Sequence, residues 1–125
     1  MSRRLLVPLA GIAAAFAVAG TAFSQARSTP KLVGTVGPGF TIKLMKSGVK
    51  VRSLRAGTYK FVISDKSSFH NFTLEREIGG KIEKHLTGTA FTGSKTAIVT
   101  LKRGKWKYYC SVHESQMFGF IKVTG

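Results

Sequence analysis

Gly104-Lys105-Trp106-Lys107-Tyr108-Tyr109-Cys110-Ser111-Val112-His113-Glu114-Ser115-Gln116-Met117-Phe118-Gly119-Phe120-Ile121-Lys122-Val123 contains two strands and the loop that joins them. In the first arm Trp106, Tyr108 and Cys110 share one parity, while Lys105, Lys107 and Tyr109 take the other. A two-residue period of this kind belongs to a strand with one face in a core. Cys110 therefore ends an inward row behind two large aromatic residues. Ser111 to Met117 form a tight polar loop that returns into Phe118–Val123.

The rest of the chain has the same character. Leu32–Val36 precedes the turn Gly37-Pro38-Gly39, and Phe40–Met45 follows with Ile42 and Leu44 on one face. Ser47-Gly48 and Ala56-Gly57 punctuate Val49–Leu54 and Thr58–Ser64, where Tyr59, Phe61 and Ile63 alternate with Lys60 and Val62. Phe69–Glu75 is expected to be a strand with His70, Phe72 and Leu74 on one face, and Thr96–Leu101 another. Residues 78–94, rich in Gly, Thr and Lys, are expected to form an irregular connection. No sustained helical period and no internal repeat is present. The expected fold is all-β, a two-sheet β-sandwich of seven to eight strands.

The chain has 125 residues with 20 Lys or Arg and 5 Asp or Glu, a net charge of +15. Its first part is not domain-like. Arg3 and Arg4 precede an uncharged stretch from Leu5 to Phe23 that runs into Ala22-Phe23-Ser24-Gln25-Ala26, the layout of an export signal. Cleavage after Ser24 or Ala26 fits, so residues 1–26 are expected to be a signal peptide and residues 27–125 one domain. Removing them leaves about 99 residues at about +13. An uncleaved stretch would instead tether the domain to a membrane. Either way the domain is expected outside the cytoplasm, periplasmic or extracellular. A chain this short excludes a Rossmann fold, a barrel enzyme and a multidomain architecture.

Export makes the single cysteine informative, because Cys110 has no partner for an internal disulfide. His113 stands three residues beyond it, Met117 four beyond that, and His70 ends the inward row of a distant strand. Two imidazoles, a thiolate and a thioether are the ligands of a trigonal copper site with a weak axial methionine. Thiolate and thioether suit Cu(I), and imidazole suits both oxidation states. Coordination would also account for a surviving exported thiol, since a bound metal deprotonates it.

Phe69-His70-Asn71-Phe72, Tyr109-Cys110-Ser111-Val112-His113 and Met117 together resemble the cupredoxins, in particular the plastocyanin and amicyanin branch. The resemblance runs from about Leu32 to Thr124. It implies a Greek-key β-sandwich that holds one type 1 (blue) copper and shuttles one electron. His70, Cys110 and His113 would be the equatorial ligands and Met117 the axial one. Asn71 matches the family's asparagine that ties the two ligand loops together, and Ser111 the polar residue after the cysteine. Two features depart from the pattern. Three residues separate His113 from Met117, between the amicyanin and plastocyanin spacings, and Val112 stands where proline is usual.

The remaining candidates are expected to be structural. Met45 is read as packing, His85 as solvated, and the carboxylates form no paired acid–base site. Lys43, Lys50, Arg52, Lys60, Lys105 and Lys107 fall on outward parities. They would steer the domain to an acidic redox partner or to an anionic membrane or envelope surface. Nucleic acid is not expected as a partner, and a monomer is. The functional expectation is an extracytoplasmic one-electron carrier, with copper delivery or storage as the alternative. An enzyme is disfavoured because four ligands leave no open position for substrate, and Cys110 with His113 lacks a third residue to orient a base.

Overall fold

A computed structural model describes residues 10–22 and 28–125 of the chain. Both candidate cleavage positions, Ser24 and Ala26, lie outside the described residues, as do Arg3 and Arg4. Residues 10–22 carry no secondary structure and are exposed. Among the described residues there is no helix, and so none long and apolar enough to cross a membrane.

The strands are β1 (Lys31–Val36), β2 (Ile42–Lys46), β3 (Val49–Lys50), β4 (Ser53–Arg55), β5 (Gly57–Asp65), β6 (Thr73–Ile78), β7 (Ile82–His85), β8 (Gly93–Leu101), β9 (Gly104–Tyr109) and β10 (Phe118–Thr124). They form two five-stranded sheets, ordered β3-β2-β1-β5-β8 and β4-β10-β9-β6-β7. Only β1 with β5 and β4 with β10 pair in parallel. This is the expected β-sandwich, with ten strands in place of seven to eight, and the first and third of the following local differences supply the extra strands.

First, Val49–Leu54 is not one strand. Val51 is buried and its N–H donates to Leu44 O at 2.9 Å, so the chain turns there. β3 stays in the first sheet and β4 joins the second. Second, β6 begins at Thr73, which leaves His70 to Phe72 in a loop. The Phe72 N–H donates to the Thr87 hydroxyl (2.8 Å), while its carbonyl accepts from Leu86 N (2.8 Å). Third, Ile82–His85 is a strand at the edge of the second sheet, in register with Thr73–Arg76. It carries one partly buried apolar residue among charged ones, a pattern too weak to read as a strand but suited to a protected sheet edge.

The core lies between the sheets. Leu32, Val36, Leu44, Phe61 and Ile63 face Phe72, Leu74, Trp106, Tyr108 and Ile121, all 1 % exposed or less. Trp106 and Tyr108 point inward, as their parity requires. The indole N–H donates to Lys102 O at 2.8 Å, which satisfies its one buried donor. Phe72 and Tyr108 stack with ring centroids 5.8 Å apart and 3° between planes. Such a pair contributes about 0.5–1.5 kcal/mol beyond its burial. Met45 is half-buried.

Gly119 makes this stack possible. It sits opposite Tyr108 in the β9–β10 ladder, and a Cβ there would run into the Tyr108 ring. The ring is 1 % exposed and pinned by Phe72, so it has nowhere to go. Gly119→Ala is therefore expected to cost about 1–3 kcal/mol by overpacking. For a domain of this size that lowers Tm by roughly 4 °C or more. Gly88→Ala, where an added Cβ meets nothing within 4 Å, is the control and should stay near wild type in the same thermal melts.

Candidate metal centre

Cys110 follows the last residue of β9 and is fully buried. The loop after it is closed on itself. His113 N donates to Cys110 O (3.1 Å), Gln116 N and Met117 N both donate to His113 O (3.0 and 2.9 Å), and Cys110 N donates to Met117 O (3.0 Å). These bonds turn the chain through one compact bend and return it to β10. They also hold the loop with Val112 56 % exposed.

His70 comes from the other loop, before β6, and is buried. Its Nδ1 lies 3.0 Å from His113 Nδ1 and 3.9 Å from Cys110 Sγ, and His113 Nδ1 lies 3.7 Å from Cys110 Sγ. Three atoms at these separations share a centre about 2.1 Å from each, which matches metal–imidazole bonds and falls slightly short of a metal–thiolate bond. Among the described residues, His70, Cys110 and His113 form the group of His, Cys, Asp and Glu side chains able to hold a metal ion. Met117 is 1 % exposed at the end of the same loop.

Asn71 joins the two loops. Its Oδ1 accepts from Ser111 N (2.9 Å) and the Thr73 hydroxyl (3.0 Å), while Nδ2 donates to Ser111 Oγ (2.7 Å) and Thr89 Oγ1 (3.1 Å). Its backbone N–H points at Cys110 Sγ at 3.4 Å. One buried side chain thus fixes the spacing between His70 and Cys110. Asn71→Ala leaves several buried partners unsatisfied and is expected to cost about 2–3 kcal/mol in denaturant unfolding of the metal-free protein. Thr89→Ala, which removes one partner of the same amide, should cost less.

Behind this loop stands Asp65, at the end of β5 and 2 % exposed. Its carboxylate accepts from Ser67 N (3.1 Å) and the Thr87 hydroxyl (3.0 Å). Burial holds the Asp65 carboxyl above its usual range, against the pull of those two donors and of His70. Asp65, Thr87 and the Phe72 N–H form a chain that anchors the His70 loop to the first sheet. Nothing in the sequence singles out Asp65 or Thr87, because their partners are 22 and 15 residues away.

Two further residues behave differently from their sequence reading. Phe40 lies before β2 rather than in it, and its ring covers His70 and His113 at centroid distances of 5.4 and 5.0 Å. Lys107 is not a free cation: its side chain is 12 % exposed, with Nζ 2.8 Å from Glu114 and 4.0 Å from Glu77. It draws the residue after His113 onto the sheet. His85 is exposed yet bonded, with Nδ1 2.9 Å from the Thr73 hydroxyl and Nε2 3.0 Å from Glu83.

On the outer face of β9, the Tyr109 phenol is pushed up from its ordinary value of 10.0 to about 12. Burial is the main cause, and the carboxylates of Glu75, Glu83 and Glu114 add to it. The fold prefers the neutral phenol. Its stabilising contribution is complete below pH 10, the unfolded value, and is lost as the pH rises to about 12. Between these limits wild type should lose denaturant resistance more steeply than Tyr109→Phe.

No protein-family model and no curated protein sequence matches the chain. Solved structures do. A point mutant of rusticyanin superposes with a TM-score of 0.56 at 19% identity, over 79% of this chain and 80% of that one. Rusticyanin from Thiobacillus ferrooxidans gives 0.54 at 20% identity, over 79% of each chain. An oxidized amicyanin mutant gives 0.50 at 10% identity, over 74% of this chain and 80% of that one. The chain has the cupredoxin fold, and its His70–Cys110–His113 group fits a blue copper site for one ion.

Proposed function

We propose that this domain is a type 1 copper protein that carries one electron outside the cytoplasm. His70, Cys110 and His113 would hold the ion, with Met117 as a fourth, weaker sulfur donor. The observation that carries the reading is the convergence of one thiol and two imidazole nitrogens, drawn from two loops, around a common centre. Bound copper supplies a one-electron change between two oxidation states. The protein supplies rigidity: the Asn71 ties and the closed Cys110–Met117 loop limit how far the ligands move when the charge changes.

The same residues keep water off the sulfur and leave one way out. Cys110 is fully buried, whereas His113 and the edge of the otherwise buried His70 border a cleft of about 570 Å³ together with Phe40, Phe69, Thr89 and Val112. Phe40, Phe69 and Val112 are 58%, 74% and 56% exposed, so an apolar rim surrounds the His113 edge. Electrons would enter and leave there, through a partner that covers the rim, and the excess of basic residues would favour acidic partners. With three protein ligands and an axial sulfur there is no place for substrate, which supports a carrier, acting as an exported monomer, over an enzyme.

The test is spectroscopic. Wild-type protein given Cu(II) should develop an intense visible thiolate-to-copper band with an EPR signal of narrow copper hyperfine splitting. Cys110→Ser should abolish that band, and Met117→Leu should keep it while moving the potential. Voltammetry should show a reversible one-electron wave with copper retained in both states. Absence of the band, or its survival in Cys110→Ser, refutes the copper centre. Loss of Cu(I) to a chelator during cycling would favour copper delivery over electron transfer.

A further inference from the structure

The two ends of the sandwich differ sharply in chemistry. β1 and β5 run in parallel, with Val36 beside Asp65 at one end and Lys31 beside Lys60 towards the other. Asp65 is linked through Thr87 to Phe72, so the Val36 end is the metal end. The chain therefore enters the domain, at Lys31, from the opposite end. β4 and the last residues of β10 also lie there, where Ala56 N donates to Thr124 O. From Gly104 to Cys110 along β9 the two ends are roughly 20 Å apart, at about 3.3 Å a residue.

Towards this far end, the outer face of the second sheet carries a hollow of about 480 Å³, lined chiefly by Arg52, Ile78, Arg103, Lys105, Phe120 and Lys122. All four cations are exposed. Among the described residues Arg52, Arg103 and Lys122 enter no ion pair, and Lys105 has only Glu77 at 3.9 Å. Lys105 also rests its ammonium 4.2 Å from the centre of the Phe120 ring. Between the cations lie exposed apolar groups, with Ile78 63% and Phe120 40% accessible. A basic rim around an apolar floor complements an anionic headgroup joined to hydrocarbon.

We propose that this part of the second sheet's outer face seats on an anionic phospholipid bilayer and leaves the metal end uncovered. Arg52, Arg103, Lys105 and Lys122 contact lipid phosphates, and Ile78 and Phe120 dip into the headgroup–acyl boundary. The choice of a bilayer over an acidic protein rests on the leader. The uncharged run from Leu5 to Phe23 leads into β1, which starts at this end, so for as long as that run is uncleaved it would hold the basic hollow near the lipid surface during export. The seat keeps the domain beside the membrane while the His113 rim stays open to soluble partners. It does not depend on which ion the cluster holds.

The full chain, without added metal, is titrated with vesicles of phosphatidylcholine alone and with one-third phosphatidylglycerol. Arg3 and Arg4 of the leader also favour the charged vesicles, so the seat is read from how that preference changes between variants that share the same leader. Wild type should bind the charged vesicles more than about tenfold more tightly, with the gain falling as salt rises. Arg52→Glu/Arg103→Glu should remove most of that gain. Lys43→Glu/Lys95→Glu, with the same net charge but at the metal end of the other sheet, should retain most of it. Ile78→Asp should weaken binding without removing a cation. Circular dichroism confirms folding of each variant. Equal loss in both double variants would mean diffuse attraction of the whole charge, and no preference for phosphatidylglycerol would mean no seat; either overturns the proposal. Polyglutamate that binds as tightly through Arg52 and Arg103 would assign the hollow to an acidic protein instead. Free glycerophosphate that displaces the protein at equal phosphate concentration would reduce it to a small-anion site.

Discussion

The side chain of Asn71 is the interaction on which the site depends. His70 and Cys110 are 40 residues apart and lie on loops that no ladder pairs directly. Asn71 bridges them with hydrogen bonds to both backbone and side chain of Ser111, while its own N–H faces the Cys110 sulfur. An amide is suited to this because it donates and accepts at once. A carboxylate there would only accept, and a hydroxyl has too short a reach to serve Thr73, Thr89 and Ser111 together.

Beneath that clamp the second sheet provides a rigid floor. Trp106 and Tyr108 lead the inward row to Cys110, Phe72 stacks on Tyr108 directly after the His70–Asn71 pair, and Gly119 yields the space. The stack therefore couples the two ligand loops a second time, through apolar contact rather than hydrogen bonds. Asp65 and Thr87 hold the same loop from the first sheet. Buried polar groups that are fully bonded in this way specify one arrangement of a core, at the cost of desolvating them. The donor atoms of His70 and Cys110 are thus held from three directions.

Much of this was legible in the chain. The alternation in Thr58–Ser64 and Lys105–Cys110 gave the sandwich, since a period of two has one physical reading when turns bracket it. The spacing of Cys110, His113 and Met117 is local, so the loop was readable too. The errors fall where contacts are distant. Val49–Leu54 looked continuous because its crossing between sheets is imposed by a bond from Val51 to Leu44. His70 was placed on a strand because Phe72 and Leu74 share its parity, whereas Thr87 takes the bonds that a ladder would have used. Lys107 looked solvated because Glu77, which faces it from β6, is thirty residues earlier in the chain.

By itself the sequence determined the fold class, the donor types and the leader's apolar character, because each follows from residue type and near-neighbour spacing. Only the tertiary structure decided which donors meet. His70 and His113 come within 3.0 Å through packing of two loops that sequence distance cannot measure. The same holds for charge. The excess of +15 is a property of composition, but the gathering of cations around exposed Ile78 and Phe120, on the outer face of the second sheet, follows from sheet register. Pairing across strands brings Arg52 beside Lys122 and Ile78 beside Lys105, and those contacts exist only once the sheet has closed.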